Sequence, residues 1–154
     1  MRQQAGAVAL ICTGAPGARY GLPATAVCSV TDDPPTLLAC VNKNASAHDH
    51  IFESEEFSVN LLAEKHEEIA GVFAGMTDLK GDDRFKVKGF RWIKHKSGMP
   101  RLTGALATLD CEVVEKQQFS THTIFFGRVR EGAYSEGAAP LLYLRGEFGI
   151  MQTD

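Results

Sequence analysis

The stretch spanning residues 21–48, GLPATAVCSVTDDPPTLLACVNKNASAH, holds the side chains whose types and spacing best suit chemistry. Small residues line its first half: Ala24, Thr25, Ala26, Cys28 and Ser29. Small side chains let a planar ligand come close to the backbone, whose amides can then bond its polar edge. The second half ends in Asn42-Lys43-Asn44-Ala45-Ser46, where a cation, a hydroxyl and the start of a helix converge. Those three together can hold a phosphate. A helix cap and a tight strand bend account for the same residues equally well.

Other chemistry finds less support. His48 and His50 flank Asp49. On a strand they would share a face and could chelate a metal, but in the helix expected here positions i and i+2 diverge. A solvated helix start is the better reading. His66-Glu67 is part of a metalloprotease motif, yet Ala70 stands where the second histidine belongs. No metal ligand set is assigned. Residues 76–100 carry Lys80, Arg84, Lys86, Lys88, Arg91, Lys94 and Lys96 against three acids. Phe85, Phe90 and Trp92 interleave with those charges, as a nucleic-acid stacking surface would need. A solvated loop with its aromatics turned inward explains them better. No G-x-G-x-x-G follows a strand and opens a helix, no phosphate-loop motif occurs, and no G-x-S-x-G elbow is present.

The elements that must position these residues are mostly strands. Residues 7–13 form a β-branched, apolar run closed by Gly14-Ala15-Pro16-Gly17. A second strand, with an interruption, is expected over residues 20–30 and stops at Asp32-Asp33-Pro34-Pro35. Residues 36–41 are continuously apolar and read as a buried strand. Ser46 is expected to cap a short helix ending near Ser54. Residues 57–62 read as another strand. Residues 64–73 read as a helix, with Ile69, Val72 and Phe73 on one face and Glu64, Glu67 and Glu68 near its start. Later strands are expected over 102–106, 108–115, 122–130 and 141–145. Strands dominate, helices are few and short, and no repeat or linker breaks the chain. The expectation is one mainly β domain over residues 1–154, a closed or nearly closed antiparallel barrel.

Composition sets the outer bounds. At 154 residues and 44% hydrophobic, the chain can bury one core. A formal charge of -3 gives no basic field for nucleic acid. No apolar run approaches a membrane span, and the N-terminus lacks the ordered regions of a signal peptide. The four cysteines, Cys12, Cys28, Cys40 and Cys111, have no metal-clip spacing. They read as free, buried thiols in a reducing cytoplasm.

Taken together, several separate segments resemble the flavin reductase-like domain family, the short-chain NAD(P)H:flavin oxidoreductases. The carrying residues are ATAVCSVTDDPPTLLACVN at 24–42, FSVNLL at 57–62, Phe73-Ala74-Gly75, Asp110-Cys111, HTIFFG at 122–127, Leu142-Tyr143 and Arg145-Gly146. They cover nearly the whole chain in the family's order.

The resemblance implies a split β-barrel with a few short helices, working as a homodimer with the flavin near the subunit interface. It implies that Leu22, Pro23, Ala24, Thr25, Cys28 and Ser29 lie against the isoalloxazine of FMN or FAD. Asn42, Lys43, Ser46 and Ala47 would surround the flavin phosphate, and His122 and Tyr143 would face the nicotinamide of NADH or NADPH. The implied reaction moves a hydride from nicotinamide to flavin, which leaves reduced for a partner monooxygenase; no membrane or nucleic acid takes part. A non-catalytic flavin carrier is the alternative. Two departures stand out. Relatives place a threonine where this chain has Pro23, which removes a hydroxyl and a backbone donor, so weaker flavin binding is expected. The chain also starts at Met1, where relatives usually carry more of an N-terminal helix.

Overall fold

The computed structural model describes residues 2–151. In chain order its strands are β1 (Gly6–Ala7), β2 (Ala9–Thr13), β3 (Tyr20–Ala24), β4 (Val27–Asp32), β5 (Pro35–Asn42), β6 (Glu56–Leu61), β7 (Trp92–Lys94), β8 (Pro100–Leu102), β9 (Ala107–Phe119), β10 (His122–Tyr134), β11 (Leu141–Leu144) and β12 (Glu147–Ile150). Helices α1 (His48–Ser54) and α2 (Glu67–Phe73) are short, and 3-10 turns cover Glu64–His66 and Gly81–Lys86.

Seven strands make one sheet in the order β3-β2-β6-β9-β10-β5-β4. Its two edges, β3 and β4, are consecutive in sequence, and only Thr25 and Ala26 join them. Three peptide steps span at most about 11 Å, so the sheet must curl until its edges converge at that end. They converge without pairing, and the result is a split barrel. A sheet of β1, β11 and β12 and a hairpin of β7 and β8 flank it.

Side-chain alternation sorts the core into two bodies. On β2, Ala9 and Ile11 face the barrel interior with Leu37, Ala39, Val41, Phe57, Val59, Phe125 and Ile51 of α1. Leu10 and Cys12 face the other way, onto Ile69, Val72 and Phe73 of α2 with Phe85 and Leu102. Both faces of β2 are covered, which is why its sequence is apolar without alternation. Strand β5 differs from its expected fully buried state. Leu37, Ala39 and Val41 are buried, whereas Leu38 and Cys40 on its other face are half-buried.

Several expectations need correction. The strand expected over 102–106 ends at Leu102, because Gly104 turns the chain in the left-handed region at φ +77°. Strands β9 and β10 run on to Phe119 and Tyr134, forming a long hairpin whose polar end the apolar pattern did not reveal. Ser46 does not cap α1: the N-cap is Ala47, with no side-chain bond, and Ser46 is exposed. His48 is 6% exposed rather than solvated, although His50 does face solvent and stacks on Tyr20. All four cysteines are free, but Cys28 is exposed and Cys40 half-buried. Burial pushes the Cys111 thiol up to about 12, and it raises Cys12 further still.

The basic segment settles the fate of its aromatics. Phe85 packs edge-on against both Phe73 and Trp92, and Arg19 lies over its ring. Arg19 also holds Asp82 by two side-chain bonds of 2.7 and 3.2 Å, which keeps that carboxyl well below its usual range. With Phe85 and Trp92 turned into the core, the stacking surface that a nucleic-acid reading requires is not formed.

Candidate functional site

At the converging edge of the barrel, the end of β3 meets the three-stranded sheet. Gly6 packs on Thr25 so closely that a Cβ at Gly6 would lie 2.7 Å from the Thr25 Cβ. A cleft of about 250 Å³ opens there. One wall is the β3 terminus, Pro23, Ala24 and Thr25. The other is Tyr143 of β11 and Phe148 of β12, register partners whose rings meet edge-on at 5.3 Å. Ala74 and Met76, just past α2, close one side, and Val8 forms part of the lining. None of these side chains is charged. An apolar slot between a small-residue backbone and an aromatic pair suits a flat ring.

Local physics explains the wall positions. Strand β3 is an edge, so it can hold a proline whose missing N–H faces away from the ladder. Gly21, on the same strand, lies under the Phe73 ring: a Cβ there would sit 2.6 Å from Phe73 Cε1. That contact seats the α2 terminus, and with it Ala74 and Met76, against β3.

A second cluster adjoins the cleft. The amide of Cys40 donates to the carbonyl of Ala26 at 3.0 Å, one residue past Thr25. Asn42 lies two residues further along β5, about 7 Å at strand rise. There the chain turns through Lys43 to Ala47 into α1. Asn42 Oδ1 accepts the Asn44 amide at 2.8 Å, and the Lys43 amide donates to the Thr121 carbonyl at 2.9 Å. Among the described residues, neither the Ser46 nor the Ala47 amide donates to a backbone carbonyl. His122 is the register partner of Asn42, is exposed, and pairs through Nδ1 with the Thr121 hydroxyl at 2.8 Å.

The expected site residues therefore fall into four places. Pro23, Ala24, Thr25 and Tyr143 share the cleft. Asn42, Lys43, Ser46, Ala47 and His122 gather at the adjoining turn, where Ala47 is fully buried against the barrel core and the other four are exposed or half-buried. Cys28 and Ser29 line a separate groove along β4 with Val27, Leu37 and Val129. Leu22 packs on the barrel core, outside the cleft lining. Met76 and Phe148 were missed. Arg145 and Gly146, both at positive φ, 58° and 97°, make the type I′ turn of the hairpin that carries Phe148, and Arg-Gly is only a weak sequence signal for such a turn.

Comparison with known proteins bears on the fold and family. The model of the flavin reductase like domain matches residues 1–152. The FMN reductase (NADH) RutF of Methylorubrum populi is 42% identical over 143 residues, covering 93% of this chain and 69% of the relative. The NADH:FAD oxidoreductase SgcE6 of Streptomyces globisporus C-1027, solved with NAD and FAD fragments, superposes with a TM-score of 0.88 at 27% identity, covering 99% of this chain and 89% of that one. BorF, the flavin reductase component of a bacterial two-component tryptophan halogenase, gives 0.88 at 26% identity, covering 99% and 94%. Fold, cleft and sequence likeness over nearly the full length converge: the chain belongs to the flavin reductase-like domain family, the oxidoreductases that reduce a flavin with a nicotinamide.

Proposed function

We propose that this chain, acting as one domain, binds FMN in the cleft, reduces it with NADH, and releases it reduced to a partner oxygenase. The observation that carries the reading is the Ala26–Cys40 hydrogen bond, which sets an apolar ring slot beside a cationic turn. Pro23, Ala24 and Thr25 would take the ring face, with Tyr143 and Phe148 opposite. Cys28 and Ser29 would border the same ring, with Leu22 backing the wall from the core. Lys43, Asn42 and the Ser46 hydroxyl, with the open Ser46 amide, would hold the phosphate, and fully buried Ala47 would back the turn from the core. Helix α1 has seven residues, so the cation and the Ser46 amide carry more of that task than its dipole.

The bound flavin supplies the hydride-accepting chemistry, and the protein orients the two rings and excludes water. Tyr143 and His122 are assigned to the nicotinamide side. The FMN and NADH choices rest on the Methylorubrum relative; FAD and NADPH are the alternatives the assay compares. The oxygenase partner rests on BorF, a component of a two-component system.

A second copy of the chain completes the site in this reading. The cleft falls below the roughly 300–1,000 Å³ of small-molecule sites, too little for flavin and nicotinamide together. The outer face of β4, β5 and β10 offers Cys28, Leu38, Cys40, Ile124 and Phe126, exposed or half-buried and in register. A cytosolic setting fits four free cysteines, and no helix of the described residues is long and apolar enough to cross a membrane.

The test is NADH oxidation by purified protein with added FMN. Flavin-dependent loss of the nicotinamide absorbance is expected, faster with NADH than NADPH. No turnover with either flavin and either nicotinamide would overturn the reading. A yellow protein that retains FMN and ignores NADH would select the flavin carrier instead. Light scattering should give twice the chain mass.

A further inference from the structure

We propose that His48 and Thr123 form a positioning clamp that holds the turn at 42–47 in its phosphate-binding shape. The inference rests on the functional reading above and concerns residues that reading leaves unused. His48 is 6% exposed and Thr123 fully buried, so both are costly to place unless their polar atoms are satisfied.

They satisfy each other across 75 residues of sequence. His48 Nε2 lies 2.8 Å from Thr123 Oγ1, and His48 Nδ1 lies 2.7 Å from Asp49 Oδ1. A ring donating from Nδ1 to the Asp49 carboxylate accepts at Nε2 from the Thr123 hydroxyl. Asp49 is itself exposed, so its carboxylate fixes the ring's orientation from the solvent side. Phe52 and Phe125 flank the ring at 5.9 and 5.7 Å and hold it in plane.

The clamp's position gives it a role beyond packing. His48 is the residue next to Ala47, and Thr123 is the residue next to His122. The turn from Asn42 to Ala47 is thus pinned twice, to the β9–β10 turn and to β10. The backbone bond from Lys43 to Thr121 holds its start, and the His48–Thr123 pair holds its end. Between those pins lie Lys43 and Ser46, the latter with both its hydroxyl and its amide open. Neither clamp residue touches the cleft. With the second pin removed, the turn keeps its register at Lys43 but loses the fixed direction of the Ser46 hydroxyl and amide. Flavin binding should suffer while the chemistry, located at the ring slot, does not.

A series of near-isosteric variants tests this. Thr123→Val removes the hydroxyl at constant shape, and Thr123→Ser keeps it. His48→Gln places an amide oxygen where Nε2 stood, whereas His48→Asn reaches only Asp49. Thr123→Val and His48→Asn should raise the KM for FMN about tenfold, with kcat at saturating FMN and the KM for NADH nearly unchanged. Thr123→Ser and His48→Gln should restore most of the FMN affinity. Amide hydrogen exchange at 44–47 should quicken in Thr123→Val and not in Thr123→Ser. Equal FMN affinity in Thr123→Val and Thr123→Ser, in protein whose wild type turns over, would overturn the clamp. A wild type without NADH–FMN turnover would instead sink the functional reading. Hydrogen exchange alone then decides the clamp, and unchanged exchange in Thr123→Val would overturn it.

Discussion

His66 and Pro23 show how single residues set stability and affinity here. The Ala63 amide donates to His66 Nδ1 at 3.1 Å, so that nitrogen must stay unprotonated for the turn before α2 to close. Burial, with the Lys65 charge adding to it and a backbone bond to Thr103 opposing, lowers the His66 pKa from its ordinary 6.5 to about 4. A histidine lowered in the folded state binds its proton first in the unfolded chain. Its contribution is therefore intact above pH 6.5 and lost as pH falls toward 4, by up to about 1.4 kcal/mol per pH unit. Buried His95, lowered chiefly by desolvation, acts in the same direction, although Asp110 and Glu131 counter it. Thermal melts should show a clear drop in Tm from pH 7 to pH 5, and His66→Gln should flatten it. An identical pH slope in wild type and variant would remove His66 from the account. At Pro23 the expectation concerns binding. Pro23→Thr restores a hydroxyl and an amide at the cleft wall, and one hydrogen bond contributes about 1 kcal/mol. Quenching of FMN fluorescence should reveal an affinity about fivefold tighter; unchanged or weaker binding would mean that the ring does not lie on that wall.

At the scale of elements, the barrel depends on a few places where strands come too close for any side chain. Gly127 of β10 lies over Phe57 and Cys111: an added Cβ would sit 2.6 Å from Phe57 Cζ and 2.9 Å from Cys111 Cβ. The register between β9 and β10 shifts just there. Gly127→Ala should cost about 1–3 kcal/mol by overpacking. Gly17→Ala is the comparison, since a Cβ there meets nothing within 4 Å and bears only the strain of its positive φ, about 1–2 kcal/mol. Urea midpoints should fall further for Gly127→Ala, and equal midpoints would show that the close approach relaxes freely. Much of this architecture was legible in the sequence. The continuous apolar runs of β2 and β5, the strand-like run of β6, and the helical face of Ile69, Val72 and Phe73 were all strong local signals. The break at Thr25-Ala26 was harder to see, because small residues suit both a continuous strand and a crossing between edges. Strand β12 was missed because an Arg-Gly turn is a weak hairpin signal beside Asn-Gly. The far ends of β9 and β10 are polar, so only pairing, which sequence alone does not display, marks them as strand.

For the molecule as a whole, the family resemblance held over the chain, and what it left open was how the site residues divide. Residue types suggested a ring seat and a phosphate turn in one stretch. The fold brings the two places near one another: β3 and β4 are opposite edges that a two-residue link draws together, and β5 then carries the chain to the turn. Tyr143 and Phe148 arrive from the C-terminal hairpin, which no local pattern could connect to residues 23–25. Cys28 and Ser29 line a separate groove outside the cleft, and under the proposed dimer only a second copy would bring them to the flavin. The central claim is that cleft and turn form one continuous seat, and a crystal structure of the protein with excess FMN tests it most directly. The account predicts the isoalloxazine between Pro23–Thr25 and Tyr143, with the phosphate within hydrogen-bonding reach of Lys43 and Ser46. Flavin density elsewhere on the molecule, with that cleft and turn left unengaged, would contradict it.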